Sequence, residues 1–346
     1  MTSDSDKDRS NRAVGLWLAA TALMVFAMMI IGAITRLTES GLSIVEWRPL
    51  IGALPPLSEA EWQRVFDLYR KTSEYALENA GMSLEAFKTI FWWEYIHRLW
   101  GRAIGLVFAL PFFWFLLRRK IPSGYVKHGW ILLFLGGLQG VIGWWMVKSG
   151  FVDRSDVSQY RLAIHLAMAF LILGYLVWLA IGLLTPAERT GQPVSKGLRR
   201  LGVACHAIIF FTVVSGALVA GSNAGFIYND WPFMNGEIIP GDLFFMTPVW
   251  INFFENHATI QFDHRLLAYL TLATVIATWL VSRRHALSPR ARLSMNLLLV
   301  ASVTQAALGI STLMLVVPLT LAVLHQAGAA ITFCLSIWVM RALKET

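Results

Sequence analysis

The sequence predicts an all-α integral membrane protein, with eight transmembrane helices arranged as two parallel four-helix bundle repeats. Three observations predict it: an apolar composition, eight runs long enough to cross a bilayer, and motifs that recur in the same order. Of the 346 residues, 56% are hydrophobic and only 14% charged. Such an excess marks the membrane class. A helix needs about 20 apolar residues to cross the hydrocarbon core. Eight stretches qualify, at 14–35, 94–117, 128–148, 160–184, 199–221, 259–281, 292–314 and 319–341.

The first stretch follows the polar, mixed-charge MTSDSDKDRSNRA, and no small-residue cleavage site comes after it. It reads as a retained helix with residues 1–13 as a cytoplasmic tail, not as a signal peptide. The net charge of +8 is distributed by topology. With 1–13 inside, the inside loops hold Arg118, Arg119, Lys120 and Lys127, then Arg189, Lys196, Arg199 and Arg200. Arg283, Arg284, Arg290, Arg292, Arg341 and Lys344 follow on the same side. The outside loop 222–258 carries Asp230, Glu237, Asp242 and Glu255 and no Lys or Arg. This is the positive-inside pattern, which places both termini in the cytoplasm. The basic excess therefore answers to the membrane lipid and argues against a nucleic-acid partner. Cys205 and Cys334 both fall inside predicted helices and read as small buried apolar residues rather than a disulfide.

The chain repeats itself. An N-terminal half, 14–184, and a C-terminal half, 199–346, are joined by the polar, Pro- and Gly-containing linker 185–198. Gly32, Gly41 and Trp47 match Gly216, Gly225 and Trp231 at one constant offset. EYIHR at 94–98 matches QFDHR at 261–265, QGVIG at 139–143 matches QAALG at 305–309, and AIHLAMA at 163–169 matches VLHQAGA at 323–329. Four spans per half give both halves the same orientation, a parallel repeat about an axis along the membrane normal. The outside loop 36–93 is longer than its counterpart. Within it Ser58 and Glu61 form a capping box, and Trp62, Val65, Phe66 and Tyr69 share one face. A short amphipathic helix follows, lying on the membrane surface, capping a pocket, or simply solvated.

The repeat singles out four of the eight histidines: His97, His165, His264 and His325. Each lies in the first turns of a helix running from outside to inside, so all four sit at similar depth near the outer face. Intramembrane ionisable groups are costly and mark function by default. Two neutral imidazoles facing each other from adjacent helices make an axial pair for haem iron. Zinc would want three or four ligands, with Cys or carboxylate among them. The pairs are His97 with His165 and His264 with His325, one haem per half. Small residues needed for close helix packing are at hand in Gly101, Gly105, Gly136, Gly137, Gly140, Gly143, Gly174, Gly309 and Gly328. Arg98 and Arg265 follow a histidine directly, and Arg102 lies one turn beyond Arg98. Guanidinium groups at these places either hold haem propionates by bidentate bonds or snorkel to the interface.

The halves differ at one place. Three residues before His97 stands Glu94; three before His264 stands Gln261. A carboxylate in one pocket and an amide in the other suggest divided labour, with Glu94 taking protons during chemistry. The alternative is a salt bridge from Glu94 to Arg98, one helical turn on. Gln139 and Gln305 recur and bond across helices or touch a porphyrin. His128, His206, His257 and His285 have no twins and read as ordinary polar residues.

EYIHRLWGR, the four-helix halves, the four outer-side histidines and LQGVIGWWMV resemble the haem A synthase family over essentially the whole chain. The resemblance is to the proteobacterial and mitochondrial branch, because the outer loops lack the cysteine pair of the other branch. It implies oxidation of the C8 methyl of haem O to a formyl group, giving haem A for the terminal oxidase in a bacterial inner membrane. By the same resemblance, His97 and His165 bracket the substrate haem, His264 and His325 ligate a resident haem B, and Glu94 is the essential acid beside the substrate. It further implies an external electron donor and a partnership with haem O synthase and oxidase assembly factors. Glycine-bearing faces allow a homo-oligomer. The rival readings are a di-haem cytochrome b-like carrier and an eight-helix transporter.

Overall fold

The computed structural model describes residues 4–46, 52, 54–151, 156–185 and 194–345. Trp47, Arg189 and linker residues 186–193 lie outside the described residues. The helices are α1 (Asp4–Leu37), α2 (Glu59–Tyr69), α3 (Ser73–Leu77), α4 (Leu84–Leu117), α5 (Val126–Ser149) and α6 (Gln159–Leu184). The chain continues with α7 (Lys196–Gly221), α8 (Asn252–Glu255), α9 (His257–Ser282), α10 (Pro289–Met314) and α11 (Leu319–Glu345). Among the described residues, eight are long and apolar enough to span a membrane: α1, α4, α5, α6, α7, α9, α10 and α11. The protein is a multi-pass, all-helical membrane protein.

All eight expected spans are present, and most start earlier than their apolar runs. The reason is capping. The Ser83, Ser195 and Ser288 side chains accept from the backbone N–H of Ala86, Leu198 and Ala291, so polar first turns continue each helix beyond its hydrocarbon-compatible part. At the N-terminus the expected tail is helical from Asp4. Helix α4, expected from residue 94, is observed from Leu84, an extension of ten residues equal to that of α1. At about 1.5 Å per residue its 34 residues reach about 50 Å, well beyond the ~30 Å of hydrocarbon. The projecting part presents Phe87 and Phe91 to Trp62, Phe66 and Tyr69 of α2, closing an aromatic cluster. Thus α2, capped by Ser58 as its sequence foretold, packs against α4. Next to it Glu74 of α3 is buried and hydrogen-bonded to the Tyr69 hydroxyl. Burial pushes its carboxyl up to about 8, with Glu94, Glu39 and Asp156 adding like-charge repulsion.

Each half closes into a ring with the same order of neighbours. In the first, α1 packs on α4 and α6, and α5 on the same two helices. In the second, α7 packs on α9 and α11, and α10 on the same two. The halves meet where α6 touches α7 and α11, and where α1 touches α11. The core concentrates at this junction: Phe170, Leu173 and Leu176 of α6 pack with Phe333 and Ile337 of α11 and Ile209 of α7. Phe170 and Phe333 meet edge to face at 5.1 Å. Lipid is as apolar as leucine, so close packing rather than water exclusion holds such a junction together. At the α6–α7 contact a Cβ on Gly221 would stand 2.8 Å from the Gln159 Cα, so the approach requires glycine.

Polar clamps tie the halves at one end. Arg36 of α1 donates to Asp156 at 2.7 Å, and to the Ala220 carbonyl and Asn223 Oδ1 at 3.1 Å. From the start of α6, Gln159 donates to Glu255 at 2.9 Å and Tyr160 donates to the same carboxylate. The ends of α1 and α7 and the starts of α6 and α9 therefore gather together. The long connections 38–83 and 222–256 leave from this end of the bundle.

Candidate functional site

The four repeated histidines stand near that long-loop end, on α4, α6, α9 and α11. Each imidazole sits deep among the helices yet keeps accessible surface, as a side chain lining an internal cleft does. His97 lies within electrostatic reach of His165, and His264 within reach of His325. Every one of them faces a glycine on the preceding span. A Cβ on Gly143 would stand 3.0 Å from Cε1 of His165, one on Gly216 3.0 Å from Cε1 of His264, and one on Gly309 2.8 Å from Cε1 of His325. Carbon atoms settle at about 3.5–4.0 Å, so these three positions admit the imidazole only because no side chain is there. A Cβ on Gly32 would stand further off, 3.5 Å from Nε2 of His97.

The histidines have neighbours of their own. The Ser215 hydroxyl lies 2.8 Å from Nδ1 of His264, where it can accept the ring N–H and leave Nε2 with its lone pair. Gln139 and Gln305 do bond across helices, to the carbonyls of His165 at 3.1 Å and His325 at 2.8 Å. Their amide nitrogens also approach the rings, at 3.5 Å from Nε2 of His165 and 3.0 Å from Nδ1 of His325. The other histidines have ordinary settings. His128 meets the Tyr175 hydroxyl, His206 meets Ser336 at 2.8 Å, His285 meets Ser195 at 2.9 Å, and His257 is exposed. Cys205 and Cys334 are free thiols within the helical core.

Glu94 and Gln261 occupy equivalent places with inverted polarity. The Glu94 carboxylate, 2% exposed, accepts from the Ser43 hydroxyl and the Ile44 N–H, both at 2.7 Å. Its other oxygen accepts from Nε and Nη2 of Arg98 at 3.0 and 2.6 Å, and Arg98 also donates to the Ile44 carbonyl at 2.9 Å. The salt bridge weighed from the sequence is therefore present. Gln261, equally buried, donates to the carbonyls of Ala224 and Ile227 at 2.8 and 2.5 Å and accepts from Arg265 at 2.8 Å. In both halves this pair clasps the segment that leaves the preceding span. The first segment offers donors and meets a carboxylate; the second offers carbonyls and meets an amide.

The arginines divide accordingly. Arg98 is engaged by Glu94 and Ile44. Arg265 donates to the backbone carbonyls of Tyr228, Asp230 and Phe233 and holds the loop 222–256 over α9. There the Asp230 carboxyl is held below its ordinary range, first by the Asn235 N–H and then by that of Gly236. Arg102 Nη1 is buried with no hydrogen-bond partner among the described residues, and so is Nε of Arg265. A buried guanidinium nitrogen left over in this way calls for an anion.

The two histidine pairs also differ in the room around them. Gly105, Gly136, Gly137 and Gly140 have nothing within 4 Å of a built Cβ. In the repeat alignment their places are taken by Leu272, Ser302, Val303 and Ala306, and that of Gly101 by Ala268. Consistently, α4 and α5 touch over a shorter stretch than α9 and α10. Two neighbouring imidazoles, a buried guanidinium nitrogen without a partner and an open glycine-lined face suit a flat, anionic metal macrocycle such as haem. Sequence reasoning missed Ser43, Ile44 and Ser215, since nothing in the local pattern marks a loop donor or a second hydroxyl. Ser215 was legible in one respect: it adjoins Gly216, a repeated residue.

Residues 15–337 match the model of the COX15-CtaA family, described as cytochrome oxidase assembly protein. The chain belongs to this family. Curated relatives named heme A synthase include a protein of Parvibaculum lavamentivorans, 49% identical over 98% of this chain and 96% of its own length. A Nitrosospira multiformis protein is 49% identical over 96% of this chain and 94% of its own length, and one from Rhodospirillum centenum is 51% identical over 96% and 89%. Family membership thus extends from α1 into α11 and takes in all four histidines, Glu94 and the three arginines.

Proposed function

We propose that this chain is a haem A synthase, oxidising the C8 methyl of haem O to a formyl group in a bacterial inner membrane. The observation that carries the proposal is the gathering of four deep-set imidazoles as two neighbouring pairs, three of them seated closely on glycines, in a chain similar over nearly its full length to proteins bearing that name. The first half takes the substrate haem, because its glycine-lined face leaves room for a ligand that must enter, carry a long alkyl tail and depart. The second half, with Leu272, Val303 and Ala306 in those places and a hydroxyl fixing His264, holds a resident haem B. Both termini lie in the cytoplasm by the distribution of Lys and Arg, so the histidines lie toward the periplasm.

Conversion of a methyl to a formyl group is a four-electron oxidation through an alcohol and a hydrated aldehyde that loses water. With oxygen from water it delivers four electrons and four protons to an acceptor. With dioxygen as oxidant each of its two steps takes two electrons and two protons from a donor and releases water. A bound haem supplies the one-electron redox chemistry. The chain's residues supply the rest. His97 and His165 bracket the substrate, and His264 and His325 ligate haem B. Arg102 has a buried guanidinium nitrogen to offer a propionate in the first half, and Arg265 has one in the second. Glu94 accepts protons from the substrate in this reading, and its clasp with Arg98 holds Ser43 and Ile44. An external donor or acceptor exchanges electrons, and haem O synthase and oxidase assembly factors are the fitting partners for a poorly soluble substrate and product.

Acid–acetone extraction of the purified protein, with chromatography and mass analysis of its haems, tests the proposal. Haem B together with haem O, haem A or a hydroxylated form is the expected result. Haem B alone, at two per chain, would instead mean a di-haem electron carrier. No haem from cells able to make it would overturn the histidine assignment.

A further inference from the structure

The four imidazoles are not held alike. His264 is fixed twice, by the Ser215 hydroxyl at 2.8 Å and by the close face of Gly216. His325 is fixed twice, by Gln305 at 3.0 Å and by Gly309. His165 is pressed against Gly143, and Gln139 bonds its carbonyl and comes within 3.5 Å of its Nε2, although its Nδ1 is buried without a hydrogen-bond partner among the described residues. For His97, no hydrogen bond reaches either ring nitrogen among the described residues, and the nearest glycine Cβ position is 3.5 Å away. The repeat explains the missing partner: where the second half has Ser215 before its glycine, the first half has the apolar Ile31 before Gly32. Space lies beside it as well, since Gly101 and Gly105 continue the His97 face of α4 and nothing stands within 4 Å of Gly105. The backbone of this turn is pinned by Glu94 and Arg98. Freedom is therefore confined to the His97 side chain.

Partners of the outer nitrogen orient a metal-bound imidazole and raise its basicity, and their loss costs about 10–100-fold in metal affinity. We infer that His97 is the exchangeable axial ligand of the first-half haem site, swinging aside on a fixed backbone to open one coordination position to a small diatomic ligand while His165 stays. The inference rests on the haem reading proposed above. It meets a difficulty of that reading, since two firmly bound histidines leave no open position.

The test is carbon monoxide titration of the reduced, haem-loaded protein, followed in the visible spectrum, with electron paramagnetic resonance of the oxidised form. The parent takes up one carbon monoxide per chain. Ile31→Ser, which restores the hydroxyl of the second half, lowers that affinity about 10–100-fold. In a second pair of variants, His97→Ala keeps its first-half haem in a high-spin form that still binds carbon monoxide, whereas His165→Ala loses that haem. The low-spin signal of the second-half haem reports correct folding throughout. Unchanged carbon monoxide affinity in Ile31→Ser, or haem kept in His165→Ala and lost in His97→Ala, overturns the inference and leaves the haem reading standing. A parent whose first half carries no haem overturns the haem reading itself, and the inference with it.

Discussion

Replacing Glu94 by Gln separates its two duties. The carboxylate accepts four hydrogen bonds, from Ser43, from Ile44 and twice from Arg98. An amide has one accepting oxygen, so its NH2 must face donors on one side. Turned toward Ser43 and Ile44, it can donate to the Ser43 hydroxyl, but the Ile44 N–H loses its acceptor, a cost of about 1–3 kcal/mol. Arg98, 15% exposed, loses its counter-charge at the same time. Removal of one partner from a buried pair costs about 3–5 kcal/mol in all. At about 1.4 kcal/mol per tenfold, local opening of the clasp becomes roughly 10²–10⁴ times more frequent. Amide hydrogen exchange at Ile44, read by mass spectrometry in detergent, should accelerate by that factor, while exchange in the α6–α11 junction stays as in the parent. Turnover should be lost with haem content largely retained. Unchanged exchange at Ile44 would refute the clasp energetics, and full activity would refute the catalytic role given to Glu94.

Other substitutions probe other parts of the site. Gly216→Ala and Gly309→Ala push a Cβ to 3.0 and 2.8 Å from an imidazole and should cost about 1–3 kcal/mol, visible as loss of the second-half haem spectrum. Gly32→Ala, with 3.5 Å available, should keep its haem. Arg102→Gln should speed haem loss to an acceptor globin about 10–100-fold, the worth of one charge-assisted hydrogen bond of about 1.5–3 kcal/mol, without altering the second-half haem. Glu74, at about 8 instead of the ordinary 4.5, binds its proton more tightly folded than unfolded. The stability it contributes is full below pH 4.5 and drains as pH rises through about 8. Glu74→Gln should therefore melt with the parent near pH 5 and increasingly above it toward about pH 9; melting curves that stay parallel would contradict this.

Much of this protein follows from local chemistry. Eight hydrophobic runs had to become helices, because in a bilayer every backbone polar group needs an internal partner. The repeated EYIHR and QFDHR brought out His97 and His264, and the amphipathic pattern at 58–71 became α2 with Ser58 as its cap. The ten-residue projection of α4 was not read from the sequence, because Glu85 and Lys88 interrupt the apolar residues of 84–93, which Ser83 and contacts with α2 hold helical. Arg98 and Arg265 looked like twins of one function, and the structure commits both to loop backbone, while a buried nitrogen is left unpartnered on Arg265 and on Arg102, which has no twin.

By itself, then, the sequence determined which segments span the membrane, which histidines recur and that a carboxylate stands where its repeat has an amide. These are matters of composition and spacing along one chain. Only the tertiary structure decided which glycine seats each imidazole, which donors surround Glu94 and which histidine lacks a second hold. Those depend on angles and distances between helices, where a displacement of half an ångström separates a seat from a clash.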